Sequence, residues 1–267
     1  MEHEFGKLTN KPLKKGKTML LFDIDGTLTK PLHQIDDDMI NLLTEIHKKN
    51  QNINFAVVGG SAFDQIKSQI GKIFPILKFI FSENGGRTYD EKLNLINDKR
   101  IHEHFNEKQI QEMLNFALRY IARLELPVKR GTFIQYRTST INISPIGRDC
   151  TLEERKIFIE YDKKNNILEN FKLAFDNAFA LKFNVSTDIG GQISFDVFPK
   201  GWDKRYCLQF VEKSYDNIIF FGDKGYFGGN DYEIITNDKI TKGIRVKNPE
   251  ETIGFVQKII EEIHNLK

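Results

Sequence analysis

The first ninety residues alternate short apolar runs with helical patterns, and each apolar run ends in glycine or polar residues. The runs Thr18–Phe22, Ile53–Val58 and Phe79–Phe81 have the composition of buried strands. Between them, apolar residues recur at the three- and four-residue spacing of a helix face: Met39, Leu42, Leu43 and Ile46, then Phe63, Ile66 and Ile70. This order predicts an α/β fold with a parallel sheet and right-handed crossovers.

The order of the predicted elements changes between about Thr88 and Pro199, where neighbouring strands are followed by helices. The predicted elements are a helix over Ile110–Leu124, strands over Thr132–Tyr136 and Thr140–Ile143, helices starting near Thr151 and Asn165, and strands near Lys182 and Gln192. They indicate an α+β unit with an antiparallel sheet. The alternation of helices and strands then returns, with a helix over Trp202–Val211, a strand over Ile218–Phe221 and a helix over Pro249–Leu266.

The simplest organisation is therefore a Rossmann-like core interrupted by a cap. We expect the core to comprise residues 18–88 and 199–267, and the inserted cap to comprise residues 89–198. Residues 1–17 are polar and rich in lysine, and we expect a disordered tail there.

The composition narrows the class of protein and its partners. The chain has 267 residues, is 40% hydrophobic and 28% charged, and carries a net charge of only +2, which argues against nucleic acid or an anionic membrane as a partner. Its two cysteines lack the spacing of a zinc site or a disulfide framework. With no apolar secretion signal or membrane span in the sequence, we expect a cytoplasmic protein.

Two carboxylates, Asp23 and Asp25, directly follow the first predicted strand. Side chains at positions i and i+2 of an extended chain share a face, so both can point into the crevice beyond the carboxyl ends of the strands. One carboxylate can then attack phosphorus while the other moves protons, with Mg²⁺ shielding the charge. A solvated turn is the alternative, but the preceding apolar strand and the following Gly26-Thr27-Leu28 favour the catalytic interpretation.

Further polar residues follow the other predicted strands or the end of the cap. Ser61 follows the second strand, Lys204 lies just after the cap, and Asp223 and Asp231 follow the strand over Ile218–Phe221. Taken singly, each could be a turn, a helix cap or a solvated residue. Their joint order matches what phosphoryl transfer needs, which is a nucleophile, a cation and donors for the phosphoryl oxygens.

The run from Asp23 to Thr29, with the polar residues that follow in order, resembles the four motifs of the haloacid dehalogenase superfamily. The resemblance implies that Asp23 is the nucleophile and Asp25 the general acid and base. It also implies that Asp23, the backbone carbonyl of Asp25 and the side chain of Asp223 bind Mg²⁺, with Asp231 in a supporting role. The residues implied to hold the transferring phosphoryl group are Thr27, Ser61 and Lys204.

The predicted cap contains arginines on and around two strands, Arg130, Arg137 and Arg148. Guanidinium groups bind phosphate through planar, bidentate contacts. Farther along, the two-residue period of a strand places Ser194 and Asp196 on one polar face, where they could bind sugar hydroxyls. The alternative is a solvated sheet face with scattered arginines.

Five stretches resemble the eukaryotic-type phosphomannomutases, and they are 129–133, 142–148, 151–155, 190–199 and 201–207. The similarity extends over nearly all of the chain from Thr18. It implies that the three cap arginines belong to the substrate site and that Ser194 and Asp196 contact the sugar. One position departs from the family, since Leu32 stands where an arginine that helps to bind substrate is often found.

The resemblance implies a Mg²⁺-dependent isomerase that interconverts mannose 6-phosphate and mannose 1-phosphate and supplies GDP-mannose synthesis. The reaction would proceed through an aspartyl phosphate and a hexose 1,6-bisphosphate, which would also prime the enzyme. A homodimer joined through the cap is implied as well, and glucose phosphates stay open as substrates. Two alternatives are a sugar-phosphate or hexose-bisphosphate phosphatase of the same superfamily and a non-catalytic sugar-phosphate binding protein.

Overall fold

A computed structural model describes residues 8–266 and divides into two compact units. The core unit is formed by the chain up to Asp98 and the chain from Lys204 onward, and the inserted unit is Lys99–Asp203. Both boundaries fall later in the chain than we expected. The first does so because two short strands that we did not predict, Arg87–Asp90 and Leu95–Asp98, extend the core sheet.

The first part of the core unit alternates strands and helices as the sequence predicts. Its elements are β1 (Thr18–Phe22), α1 (Asp37–Lys49), β2 (Ile53–Val58), α2 (Phe63–Ile70), β3 (Leu77–Ser82), β4 (Arg87–Asp90) and β5 (Leu95–Asp98). Short 3₁₀ helices over Gly71–Ile76 and Glu83–Gly85 precede and follow β3.

The inserted unit has the predicted α+β character. It contains α3 (Ile101–His104), α4 (Glu107–Arg123), β6 (Ile134–Tyr136), β7 (Ile141–Ile143), α5 (Leu152–Asn165), α6 (Ile167–Phe183), β8 (Val185–Asp188) and β9 (Phe195–Pro199). The strands form an antiparallel sheet in the order β6-β7-β9-β8. We expected a strand near Lys182, but α6 continues to Phe183, and the strand begins only after Asn184 ends the helix in a left-handed conformation.

The chain then returns to the core unit. A 3₁₀ helix over Lys204–Phe210 replaces most of the helix that we predicted there, and it is followed by β10 (Asn217–Gly222), α7 (Tyr232–Ile235), β11 (Lys242–Arg245) and α8 (Pro249–His264). The core strands have the order β11-β10-β1-β2-β3-β4-β5, in which the first five run parallel. The carboxyl ends of β1, β2 and β10 consequently meet at one edge of the sheet.

The central strands β1, β2 and β10 of the core sheet are buried on both faces, so they are mostly apolar. Met19 and Leu21 pack into one layer, while Leu20 and Phe22 pack into the other. The rings of Phe22 and Phe221, on neighbouring strands, stack with their centroids 4.8 Å apart. Within the described part of the chain, none of the helices has the length and apolar character that crossing a membrane requires.

The predicted tail is partly ordered. Residues 1–7 lie outside the described residues, but the segment from Thr9 onward runs along the core sheet, so the expectation of disorder is wrong there. The N–H of Gly243 donates to Thr9 O at 2.8 Å, and the N–H of Lys11 donates to Thr241 O at 2.8 Å. These bonds cover the otherwise unpaired edge of β11, and Leu13 is buried beside them.

Candidate active site

The end of β1 places Asp23 at the carboxyl edge of the core sheet. Its N–H donates to Phe221 O at 2.9 Å, so the sheet pairing continues to this residue. Gly26 then turns the chain with a φ of +86°, and a Cβ at this position would lie 2.5 Å from Asp223 Oδ2. The turn therefore depends on glycine both for its backbone conformation and for the space that Asp223 occupies.

Lys204 binds two buried carboxylates at this edge. Its Nζ donates to Asp23 Oδ1 at 2.5 Å and to Asp231 Oδ1 at 2.6 Å. The lysine is 1% exposed, Asp23 6% and Asp231 0%, so all three groups have lost most of their hydration. The contacts join residues that follow β1, the inserted unit and β10, as the order of the sequence motifs predicts.

Asp223 completes an acidic cluster with Asp23 and Asp231, in which one carboxylate oxygen of each lies within 4.8 Å of the others. Three carboxylates against the single ammonium of Lys204 leave negative charge uncompensated, and a hard, oxygen-liganded divalent cation fits this donor set. Both oxygens of Asp231 are already engaged, because Oδ2 accepts from the N–H of Lys224 at 3.0 Å. Asp23 and Asp223 are therefore better placed to bind a cation directly, with Asp231 holding Lys204.

The charges of the cluster shift its pKa values. Burial raises the pKa of Asp23 well above its ordinary value; Lys204 opposes this, and Asp231 and Asp223 add to it. Burial, reinforced by the negative charge of Asp231, raises the pKa of Asp223 to about 6. Burial alone would lower the pKa of Lys204, but Asp23 and Asp231 outweigh it and raise the pKa. A bound divalent cation would favour the ionised form of both shifted carboxylates.

The carboxylate of Asp25 is held apart from the acidic cluster. Its Oδ1 accepts from the N–H of Leu32 at 2.9 Å and from Nε2 of Gln69 at 2.8 Å. Gln69 lies on α2 and is buried, and sequence reasoning missed it because nothing local links it to a residue 44 positions earlier. Leu32, the departure from the family pattern, contributes through its backbone while its side chain is exposed.

Thr27 and Ser61 differ in how closely the structure ties them to Asp23. The hydroxyl of Thr27 lies 3.5 Å from Asp23 Oδ2, at the outer limit of a hydrogen bond, and the residue is fully buried. Its carbonyl accepts from the hydroxyl of Thr252 at 2.8 Å, which anchors the turn to α8. Ser61 follows β2 and is half-buried, and its carbonyl accepts from the N–H of Glu83 at 3.1 Å.

In the inserted unit, four of the five predicted substrate residues belong to one polar network. Arg137 Nη1 lies 3.5 Å from Asp196 Oδ1, and Arg148 Nη1 donates to Asn142 Oδ1 at 2.8 Å. Nδ2 of Asn142 donates to Ser194 Oγ at 3.0 Å and to Asp196 Oδ1 at 2.8 Å. Asn142 thus links three predicted residues, and sequence reasoning did not single it out although it alternates with the apolar Ile141 and Ile143 along β7.

Arg130, the fifth predicted residue, has different partners. Its Nη2 pairs with Glu154 Oε1, and its Nη1 donates to Lys129 O at 2.9 Å. Glu154 also accepts from the N–H of Thr151 in the capping box that starts α5. The same carboxylate therefore caps a helix and orients Arg130, a second role that the capping pattern alone did not indicate.

The fold and the acidic cluster with its lysine define a protein of the haloacid dehalogenase-like class. A solved structure of this fold, the IMP-bound, N-terminally truncated IMP-nucleotidase of Plasmodium falciparum, superposes with a TM-score of 0.62. The superposition covers 93% of this chain and 69% of the nucleotidase chain. The sequence identity is 17%, so the similarity concerns the fold alone.

Sequence comparison identifies the family. The model of the eukaryotic phosphomannomutase family matches residues 39–262. Phosphomannomutase 2 of Dictyostelium discoideum is 42% identical over 241 residues, 90% of this chain and 95% of the relative. The phosphomannomutase of Arabidopsis thaliana is 44% identical over 235 residues, 88% of this chain and 93% of the relative. This chain belongs to the eukaryotic phosphomannomutase family, and it is an enzyme of the isomerase class.

Proposed function

We propose that this enzyme interconverts mannose 6-phosphate and mannose 1-phosphate through a phosphorylated Asp23 and a hexose 1,6-bisphosphate. The observation that carries the proposal is the contact of Lys204 with Asp23 and Asp231 beside Asp223, in a chain of this family. A buried carboxylate next to a fixed ammonium and a cation-binding cluster suits a nucleophile that attacks phosphorus.

The core unit supplies the phosphoryl transfer. In the first half, a sugar hydroxyl attacks the phosphorus of phosphorylated Asp23, the bond from Asp23 oxygen to phosphorus breaks, and Asp25 takes the hydroxyl proton. In the second half, Asp23 attacks the other phosphate of the bisphosphate, and Asp25 returns the proton to the leaving sugar oxygen. Lys204, Thr27 and Ser61 hold the transferring group and balance its charge.

Magnesium is the cation that this proposal requires. Asp23 and Asp223 would bind it through their side chains, Asp25 through its backbone carbonyl, and Asp231 would support the site. When bound, Mg²⁺ supplies electrostatic stabilisation to the phosphoryl oxygens. It also offsets the burial and like-charge effects that raise the pKa values of Asp23 and Asp223.

The inserted unit would bind the part of the substrate that is not reacting. A bisphosphate that presents either end to Asp23 needs a second site for its other phosphate, and Arg130, Arg137 and Arg148 carry the charge for it. Ser194 and Asp196 would bind sugar hydroxyls. Asp196 and Ser194 already share a buried network with two of the arginines, which supports a single site in this unit.

We carry the remaining features of the proposal over from the resemblance to the family. A hexose 1,6-bisphosphate primes the enzyme and the product supplies GDP-mannose synthesis, while glucose phosphates stay open as further substrates. The enzyme acts in the cytoplasm on small sugar phosphates, with no nucleic acid or membrane partner, as a homodimer joined through the inserted unit.

A ³¹P NMR experiment tests this function. The purified protein is incubated with Mg²⁺, mannose 1-phosphate and a catalytic amount of glucose 1,6-bisphosphate, and the phosphorus signals are followed. We expect the mannose 6-phosphate signal to grow with little inorganic phosphate, and a run with glucose 1-phosphate then ranks the two sugars. Inorganic phosphate as the main product would instead identify a phosphatase and contradict the mutase function.

A matched pair of variants tests the role of Asp23. Asp23→Asn removes the nucleophile with a nearly isosteric side chain, and we expect no interconversion above background. Asp38→Asn makes the same chemical change at an exposed position on α1 and should leave the rate unchanged. Wild-type activity in Asp23→Asn would contradict the mechanism, because Asp23 could then not be the nucleophile.

A further inference from the structure

The side chain of Asn142 is the centre of the polar network in the inserted unit. It is 3% exposed, and its carboxamide makes hydrogen bonds to Arg148, Ser194 and Asp196. The oxygen accepts from Arg148, and the nitrogen donates to the other two. When the oxygen and the nitrogen of a buried carboxamide both have hydrogen-bond partners, the amide has one favourable orientation. The same hydrogen bonds then hold the neighbouring side chains in place.

The sheet register explains why Asn142 reaches so many partners. Gln135, Asn142, Asp196 and Asp188 lie directly opposite one another on β6, β7, β9 and β8, so they form one row across the sheet. The neighbouring positions on β7 are apolar and pack in the hydrophobic cluster of the inserted unit. Asn142 therefore lies on an inner strand of this polar row, between Gln135 and Asp196.

The neutrality of this amide matters for the charge of the site. Arg148 is largely buried, and burial together with nearby Arg137 lowers its pKa from the ordinary value. An aspartate at position 142 would neutralise Arg148 and would place a second carboxylate against Asp196, whose oxygen lies 2.8 Å from Asn142 Nδ2. An amide fixes the guanidinium without cancelling its charge, which stays available for an anionic ligand.

We infer that Asn142 is a positioning residue that holds Arg148, Ser194 and Asp196 in one arrangement for a sugar phosphate without adding a second negative charge beside Arg148. This inference rests on the proposed function, in which these three residues bind substrate. It adds a residue that acts through others and makes no contact with the reacting phosphorus.

Two variants test the inference by steady-state kinetics and by calorimetric binding of mannose 1-phosphate. Asn142→Asp keeps the shape but adds a competing charge, and Asn142→Ser keeps one polar atom but loses the bridge. Hydrogen bonds to charged groups are worth enough to predict that KM and Kd rise by roughly 10- to 100-fold, most in Asn142→Asp. We expect kcat and the Mg²⁺ affinity, which depend on the core unit, to change by less than about threefold.

The control is Thr187→Val, which removes another buried hydrogen bond from the same sheet. Thr187 on β8 donates to Asp176 Oδ1 on α6 at 2.6 Å and pairs with Val197, on the other face of the sheet from the row of Asn142. We expect it to lower the unfolding temperature without changing KM. If both Asn142 variants keep the wild-type KM and Kd, or lose only stability as Thr187→Val does, Asn142 has a structural role and the inference is wrong. Absent interconversion by the wild-type enzyme would overturn the proposed function, while the calorimetric comparison would still test Asn142.

Discussion

Lys204 Nζ lies 2.5 Å from Asp23 Oδ1, although the two residues are 181 positions apart and the whole inserted unit separates them along the chain. The lysine also binds Asp231, so one ammonium serves two carboxylates that have almost no contact with water. A charge buried in this way is stable only while its partners are present. The contact therefore ties the conformation of the core unit to the state of the candidate nucleophile.

Replacing Lys204 by methionine should affect both stability and activity. The substitution leaves Asp23 and Asp231 buried without their counter-ion, and removing one partner of a buried ion pair typically costs about 3–5 kcal/mol. We expect a loss of this order in the free energy of unfolding of the metal-free protein, measured by urea denaturation, and no detectable mutase activity. Lys239→Met, at the exposed pair with Glu212, is the control and should cost less than about 1 kcal/mol. Equal losses in the two variants would contradict the importance of burial.

The Mg²⁺ affinity should fall in mildly acidic solution. The pKa of Asp223 is raised to about 6 by burial and by Asp231, and only the ionised carboxylate binds the cation. We expect the apparent affinity, measured by calorimetry, to fall as the pH is lowered through about 6, by at least about tenfold per pH unit below that value. An affinity that stays unchanged down to about pH 5 would show that Asp223 is not a ligand.

The raised pKa of Asp223 predicts the opposite pH dependence for the stability of the metal-free protein. Since the folded pKa of Asp223 is about 6 and its ordinary value is 3.8, the folded state holds more protons between these pH values. Stability contributed by this group is therefore present below about pH 4 and is lost as the pH rises through about 6. Asp223→Asn, which cannot ionise, should gain stability relative to the wild-type protein over that range in urea denaturation with a chelator present.

Gly26→Ala should damage the cation site. The backbone at Gly26 has a φ of +86°, and the new Cβ would lie 2.5 Å from Asp223 Oδ2, so Asp223 or the turn must move. We expect a loss of at least about 1–2 kcal/mol from the backbone conformation alone, together with weaker Mg²⁺ binding. Gly254→Ala is the matched control, because that glycine lies in α8 with nothing within 4 Å of its Cβ position. It should stabilise the protein by about 0.5–1 kcal/mol and leave Mg²⁺ binding unchanged.

Leu32→Arg should improve substrate binding. The side chain of Leu32 is 40% exposed, and its backbone N–H, which holds Asp25, is unaffected by the substitution. A guanidinium at this position would restore the substrate-binding group that the family pattern implies, and we expect KM for mannose 1-phosphate to fall by roughly tenfold. Leu32→Lys should improve KM less, because an ammonium lacks the bidentate geometry. An unchanged KM in Leu32→Arg would mean that the substrate does not approach this turn.

Local patterns predicted most of the regular structure. The bounds of β1 and β2 agree with the prediction, because these strands are continuous apolar runs that end in glycine or polar residues. The hairpin of β4 and β5 escaped prediction, since its two four-residue strands carry charged and polar residues and extend the sheet antiparallel to its parallel neighbours. Such strands form because β3 offers them a partner, which is a long-range effect that their own sequence does not express.

The candidate site likewise has features that the sequence predicted and features that it did not. The sequence predicts that the candidate residues meet at one edge of the core sheet, because an open parallel sheet brings the residues after its strands together there. These residues are Asp23, Ser61, Lys204, Asp223 and Asp231. Their hydrogen bonds do not follow from the sequence. The contacts of Asp25 with Gln69 and of Arg130 with Glu154 depend on how helices pack beside those loops, and the spacing of residues along the chain carries no signal for them.

The sequence by itself determined the class of fold, the interruption of the core by an inserted unit and the residue types available for phosphoryl transfer, because strand periods, turn residues and motif order are local properties. Only the tertiary structure decided which charged groups contact each other and which side chain holds another in position. Lys204 bridges two carboxylates, and Asn142 links Arg148 to Asp196, through contacts that mostly join segments distant in sequence. Their geometry depends on sheet register and burial, which arise only when the whole chain packs.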